Sequence, residues 1–175
     1  VDNEFEICGQ RFAEASVEPA AQPTAPVFSP PTSSSFNVSF TAATGSPDGY
    51  IVLRKAGSSP TDVPVDQTVY NVNDVIGTST VVYIGNSLNF SQSGLAANTN
   101  YHYDFFTYNG VNSSLNYRTS SPLQGNVNTL FAEPATQGTF SFSSFGTGSI
   151  ALNLSAGNGS NRLLVVKAGS AVDVF

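Results

Sequence analysis

The chain is 175 residues long, with a formal net charge of −6 and only 10% charged residues, against roughly 25% in ordinary soluble domains. Six basic residues at a pI near 4.4 leave no cationic footprint for nucleic acid, and no apolar run reaches the ~18 residues of a membrane span. At 40% hydrophobic, with 13 Phe and 7 Tyr, the chain holds too many large apolar side chains for disorder.

In chain order, Phe5-Glu6-Ile7 and Gln10-Arg11-Phe12 predict the last strand and turn of an upstream domain, so residues 1–17 read as its tail plus a linker. Phe36, Val38 and Phe40 alternate with polar neighbours, the period-2 signature of a half-buried strand. Tyr50-Ile51-Val52-Leu53 follows the breaker cluster Gly45-Ser46-Pro47-Asp48-Gly49 and forms the next strand. Val81-Val82-Tyr83-Ile84 and Leu88-Asn89-Phe90, split by Gly85-Asn86, supply two more. Along the following strand Tyr101, Tyr103, Phe105 and Thr107 face one way, assigned here to the core. His102, Asp104, Phe106 and Tyr108 face the other. Strands over 117–119 and 125–130 end the set. No window shows a 3.6-residue apolar stripe. The fold class expected is all-β: a seven-stranded sandwich.

The chain also repeats itself. Glu18-Pro19-Ala20-Ala21-Gln22 recurs as Glu133-Pro134-Ala135-Thr136-Gln137, and Val52-Leu53-Arg54-Lys55-Ala56-Gly57-Ser58 as Leu164-Val165-Val166-Lys167-Ala168-Gly169-Ser170. Between these anchors Phe36-Asn37-Val38-Ser39-Phe40 matches Ile150-Ala151-Leu152-Asn153-Leu154. A period of ~110 residues is too long for a solenoid unit and suits an array of whole domains of ~100 residues. Residues 18–131 form the first domain, and 132–175 the N-terminal part of a second, incomplete copy. Glu-Pro at both junctions stiffens the linkers, because Pro fixes its own φ and holds the residue before it extended.

Gly94-Leu95-Ala96-Ala97-Asn98-Thr99-Asn100-Tyr101 resembles the tyrosine-corner segment of fibronectin type III domains, G-L-x-P-x-T-x-Y. The resemblance implies that Leu95 and the Tyr101 ring are buried and that the tyrosine hydroxyl bonds backbone a few residues upstream. Ala97 stands where the family has Pro, which leaves this turn less rigid. Phe40 stands in for the family's buried Trp. With the Glu-Pro-x-x-Gln opening, the Lys-Ala-Gly-Ser step and Tyr108-Asn109-Gly110, the chain resembles the divergent type III-like repeats of large secreted and surface proteins of Bacteroidetes. That resemblance implies export by a type IX route and an extracellular or cell-surface location.

Few residues are equipped for chemistry. His102 and Asp104 sit two apart on one strand face, as two members of a triad or two metal ligands would, but a solvated pair on the outer sheet face is the simpler expectation. No G-x-S-x-G elbow occurs. Asp48, Asp62, Asp66 and Asp74 are loop carboxylates suited at most to a weakly held Ca²⁺, and none falls in an EF-hand pattern; turn formation is their expected role. Cys8, the single cysteine, has no partner for an intramolecular disulfide and reads as a small buried residue of the upstream strand. Phe106, Tyr108, Tyr70 and Tyr83 would be a sugar-stacking platform only if contiguous and exposed. Five Asn-x-Ser sequons occur, at Asn37, Asn89, Asn112, Asn153 and Asn158.

These residues predict a non-catalytic module without a cofactor: a tandem β-sandwich acting as spacer or adhesion stalk in a large extracellular protein. A carbohydrate-binding accessory module and a filament subunit completed by strand exchange are the competing readings. Expected partners are neighbouring domains of the same polypeptide, a neighbouring chain adding a strand, or glycans. The residues expected to matter are structural: Tyr101, Leu95, Phe40, Glu18, Pro19, Glu133 and Pro134.

Overall fold

The computed structural model describes residues 6–7, 10–11 and 14–169, in two units, Val1–Phe131 and Ala132–Phe175. Near the N-terminus β1 (Glu6–Ile7) pairs antiparallel with β2 (Gln10–Arg11). Phe5, Cys8 and Phe12 lie outside the described residues.

The first sheet is β3 (Thr24–Phe28), β4 (Phe36–Thr41) and, later in the chain, β8 (Asn89–Gln92), in the order β3-β4-β8. Alternation places Phe36, Val38 and Phe40 inward, all buried, while Asn37 and Thr41 face water. β3 carries no clean hydrophobic pattern. Pro26 confines it to an edge, and a register shift between Thr24 and Val27 leaves Ala25 with a positive φ of 51°.

The second sheet is built on β5 (Gly49–Ala56), flanked by β7 (Ser79–Gly85) and β9 (Asn100–Asn109), with the two-residue β6 (Val75–Ile76) beyond β7. On its far side β9 takes two partners in succession. β10 (Asn116–Tyr117) pairs with its end at Tyr108 and Asn109, and β11 (Leu123–Asn128) with its first half, from Asn100 to Phe105. A single 3₁₀ turn, Asn112–Ser114, precedes β10. The described chain is all-β.

Between the sheets lies one core: Phe36, Val38 and Phe40 against Tyr50, Val52, Tyr101, Tyr103 and Phe105, closed by Leu95. Burying each such side chain stabilises the fold by roughly 1.5–3 kcal/mol. The aromatics meet edge-on, Phe40 with Tyr50 at 4.9 Å and Phe36 with Tyr103 at 6.0 Å between ring centres; edge-to-face contacts suit the ring quadrupoles.

The far face of the second sheet is not a solvated surface, and here the sequence expectation is corrected. Ile51, Leu53, Val81 and Phe106 pack beneath Leu115 and Tyr117 in a second core, with Tyr70, Ile76, Ile84 and Tyr108 at its margin. The loop between β5 and β7 and the segment through β10 supply its cover. This is why β5 is buried on both faces and reads as a continuous apolar run instead of an alternating one.

In the second unit β12 (Thr139–Phe145) pairs antiparallel with β13 (Ile150–Ser155) as a hairpin. Among the described residues β12 and β13 pair only with each other.

Candidate functional site

Three structural clusters hold several of the residues that the sequence singles out. The first surrounds Tyr101. Its ring is buried beside Leu95, and its hydroxyl accepts the Ala96 N–H at 2.9 Å. Buried Thr129 completes the clasp: its Oγ1 donates to the Ala96 carbonyl at 2.7 Å and accepts the Thr99 N–H at 3.0 Å. The crossover from β8 to β9 is thereby tied to the residues just after β11. The Arg54 guanidinium lies over the Tyr101 ring, 5.2 Å from its centre, and donates to Gln92 Oε1 at 2.7 Å. Tyr103 donates to the same oxygen at 3.3 Å. Burial holds the Tyr103 hydroxyl far above the usual phenol range, so it stays a neutral donor.

The second cluster is a strap. Residues 16–22, which include the Glu18-Pro19 junction, run along the end of β9. Asn109 Nδ2 donates to the Val17 carbonyl at 2.8 Å, and Asn116 Nδ2 to the Ser16 carbonyl at 2.6 Å. Arg118 donates to the Pro19 carbonyl at 3.2 Å and meets Glu18 at 3.6 Å. Pro19 is buried. Gln22 sits where β10 has left β9 and β11 has not yet joined it. Its Oε1 accepts the Thr107 N–H at 3.0 Å, and its Nε2 donates to the Arg118 carbonyl at 2.6 Å. One side-chain amide thus fills the break in the sheet ladder, satisfying backbone groups that burial would otherwise leave costly. No sequence signal other than the recurring Glu-Pro-x-x-Gln marks Gln22. Glu133 and Pro134, at the matching positions of the second unit, are exposed.

The third is the His102–Asp104 neighbourhood. The two share a strand face, but they are not the solvated pair expected. Asp104 is only 3% exposed, and Gln124 Nε2 donates to both of its carboxylate oxygens, at 3.1 and 3.3 Å. Burial pushes its carboxyl above the usual range, partly offset by the Gln124 bond and the His102 charge. His102 is half-buried, with Nδ1 3.3 Å from Ser59 Oγ. Among the described residues no hydrogen bond joins His102 to Asp104, so Ser59, His102 and Asp104 do not form a proton relay of the triad type.

The loop carboxylates each close a loop. Asp48 accepts the Gly110 N–H, Asp66 the Tyr117 N–H and Asp74 the Asn71 N–H, all at 2.7 or 2.8 Å. Asp62 Oδ2 takes the Thr78 N–H, Thr78 Oγ1 and Ser79 Oγ at 2.9 to 3.0 Å, bonds that hold its pKa below the usual value, the Thr78 backbone bond contributing most. Gly77, with φ of 58°, leaves the room Asp62 needs, since a Cβ there would strike the carboxylate. Among the described residues no group of three or more His, Cys, Asp or Glu is placed to hold a metal ion.

The aromatic candidates do not gather into a platform. Phe106 is fully buried, Tyr108 and Tyr70 pack on Tyr117 at 5.8 and 6.0 Å, and Tyr83 stacks on Phe90 at 4.8 Å. All five sequon asparagines are exposed, and Asn37 Oδ1 accepts the Ser91 hydroxyl at 2.8 Å. No helix of the described chain is long and apolar enough to cross a membrane.

No protein-family model matches this chain, and no curated protein matches it. Among solved structures it is similar to an FN3 domain of human collagen XX, with 24% identity over 67% of this chain and 99% of that one, at a TM-score of 0.42. It is also similar to a fibronectin type III domain derived from human KIAA0970 protein, with 20% identity over 65% of this chain and 77% of that one, at a TM-score of 0.40.

Proposed function

We propose that the chain is a non-catalytic structural module, a spacer or adhesion segment of a large secreted or cell-surface protein, in which β-sandwich domains follow one another as a semi-rigid rod. The observation that carries this reading is the strap. The residues that enter the first sandwich are bonded to β9 and β10 through Gln22, Arg118, Asn109 and Asn116. A segment fastened in this way passes tension directly into the sheet and leaves little freedom at the junction. The low-charge, Ser/Thr/Asn-rich surface supports an extracellular setting, where non-specific ionic attraction would be a liability.

Single-molecule pulling on the full chain tests this. A discrete unfolding event for the first unit is expected, releasing roughly 3.3–3.6 Å per residue, at a force that drops when Gln22 is replaced by Ala. Capture of the chain on a neutral polysaccharide, lost on substituting one surface aromatic, would replace the reading with a carbohydrate-binding one.

A further inference from the structure

The chain contains the dipeptide Asn-Gly at Asn109-Gly110 and again at Asn158-Gly159. Asn-Gly is the pair most prone to spontaneous deamidation, because a residue without Cβ leaves its backbone nitrogen open to the preceding side chain. The reaction consumes only water. The Gly nitrogen loses its proton to base and attacks Cγ of the Asn; the N–Cγ bond forms, the Cγ–Nδ2 bond breaks and ammonia leaves. Water then opens the succinimide ring at either carbonyl. The products are Asp and its isomer, which carries an extra methylene in the backbone.

At the end of β9 the fold requires both residues of the pair. Gly110 has a φ of 89°, and a Cβ there would strike the Ser114 carbonyl and Ser16 Oγ, so the position is reserved for glycine. Asn109 fastens two segments at once. Its Nδ2 donates to the Val17 carbonyl of the strap at 2.8 Å, and its Oδ1 accepts the Asp48 N–H, from the turn before β5, at 3.1 Å. The Asp48 carboxylate in return accepts the Gly110 N–H at 2.8 Å.

These bonds oppose the chemistry at each step. With Nδ2 and Oδ1 both engaged, the Asn109 side chain is not free to turn its Cγ onto the Gly110 nitrogen. That nitrogen also keeps its proton, because the negative Asp48 carboxylate beside it disfavours a second anion there.

We propose that Asn109 is a modification site held shut by this grip: while Val17 and Asp48 engage it the pair is protected, and once they release it Asn109 deamidates to a product on which the grip cannot re-form. A carboxylate at 109 has no N–H for the Val17 carbonyl and adds a negative charge next to that of Asp48. The isomer also lengthens the backbone where Asn109 pairs with Asn116. The change is one-way and marks molecules whose strap has once opened. It rests on these hydrogen bonds alone and holds whether or not the module bears load.

Incubation of the full chain at mildly alkaline pH, followed by peptide mass spectrometry, tests this. Asn109 should deamidate at least about tenfold more slowly than in a synthetic peptide of residues 105–113, since three hydrogen bonds must open together. Asp48→Ala, which removes the acceptor of Gly110 and leaves Asn109 in place, should erase most of that difference. Thr129→Val, at the far end of β9, weakens the sandwich without touching the strap and should leave the Asn109 rate as in the parent. Asn158, read in the same digests, is the internal reference. Deamidation of Asn109 as fast as in the peptide overturns the proposal, and so does an Asp48→Ala variant as slow as the parent. Equal acceleration in Thr129→Val, or at Asn158 in Asp48→Ala, would assign the protection to global folding and overturns it too. Asn109→Asp makes the product directly and should unfold at lower urea than the parent; an unchanged midpoint would mean that the grip closes on the product.

Discussion

The side chain of Gln22 stands in for a missing strand beside Thr107: its Oε1 receives the Thr107 N–H at 3.0 Å, at the place where β9 has lost β10 and not yet gained β11. Thr107 is fully buried, and its own hydroxyl donates to the Ala21 carbonyl at 2.9 Å. The strap and the sheet are one hydrogen-bonded structure.

Gln22→Ala leaves the Thr107 N–H without that acceptor. An unsatisfied buried donor costs about 1–3 kcal/mol. Urea unfolding of the variant should show a midpoint lowered accordingly with an unchanged m-value, the mark of a stability change that leaves the extent of exposed surface alone.

At the tyrosine clasp the two oxygens carry different weights. Tyr101→Phe keeps the ring and frees the N–H of Ala96, an exposed residue that water can reach, so the cost should be about 0.5–1.5 kcal/mol. Thr129→Val removes an oxygen that serves two backbone groups at a buried position and should cost more, about 1–3 kcal/mol. Equilibrium denaturation of both variants checks the order; a costlier Tyr101→Phe would contradict it.

Phe106→Ala should cost about 3–5 kcal/mol, the range for emptying a fully buried aromatic site. The loss should be felt in the cover as well as the sheet. Amide exchange in the loop between β5 and β7 should accelerate more than exchange in β4, since Phe106 belongs to the second core and not to the one between the sheets.

Asp104 and Asp62 respond to pH in opposite senses. The Asp104 carboxyl is raised in the folded state. The native chain therefore binds the proton more tightly than the unfolded one, and stability falls as pH climbs from the unfolded value near 3.8 through the folded pKa. Asp104→Asn should raise Tm at pH 7, with the gain disappearing below about pH 4.

The Asp62 carboxyl is lowered by its Thr78 and Ser79 bonds. Its contribution is complete above the unfolded value and is lost as pH falls through the folded pKa. A Tm–pH profile of Asp62→Asn should therefore converge on the parent at strongly acidic pH and lie below it at neutral pH. Divergence at acid pH alone would reverse the assignment.

Much of the architecture was written in local pattern. Alternation at Phe36, Val38 and Phe40 predicts β4, Gly and Pro clusters bracket the strands, and the resemblance of the Gly94–Tyr101 segment to a tyrosine corner implies Tyr101 and Leu95 as buried neighbours. The alternation was legible because a strand with one buried face must alternate, whatever it packs on. β3 and β6 were not: one is an edge strand interrupted by Pro26, the other two residues long, and neither carries a periodic signal. Gln124 was equally silent, since an amide that caps a distant carboxylate looks like any other surface glutamine, and Gln22 was marked only by the recurring Glu-Pro-x-x-Gln.

By itself the sequence determined the all-β class, the turn positions and the inward residues of the core between the sheets, because each follows from neighbours a few residues apart. Only the tertiary structure decided that Phe106 and Asp104 are covered and that Gln22 completes β9. Those outcomes depend on where the loop between β5 and β7, the strap and β10 come to rest. A strand's outer face carries the same period whether water or another segment of chain lies over it.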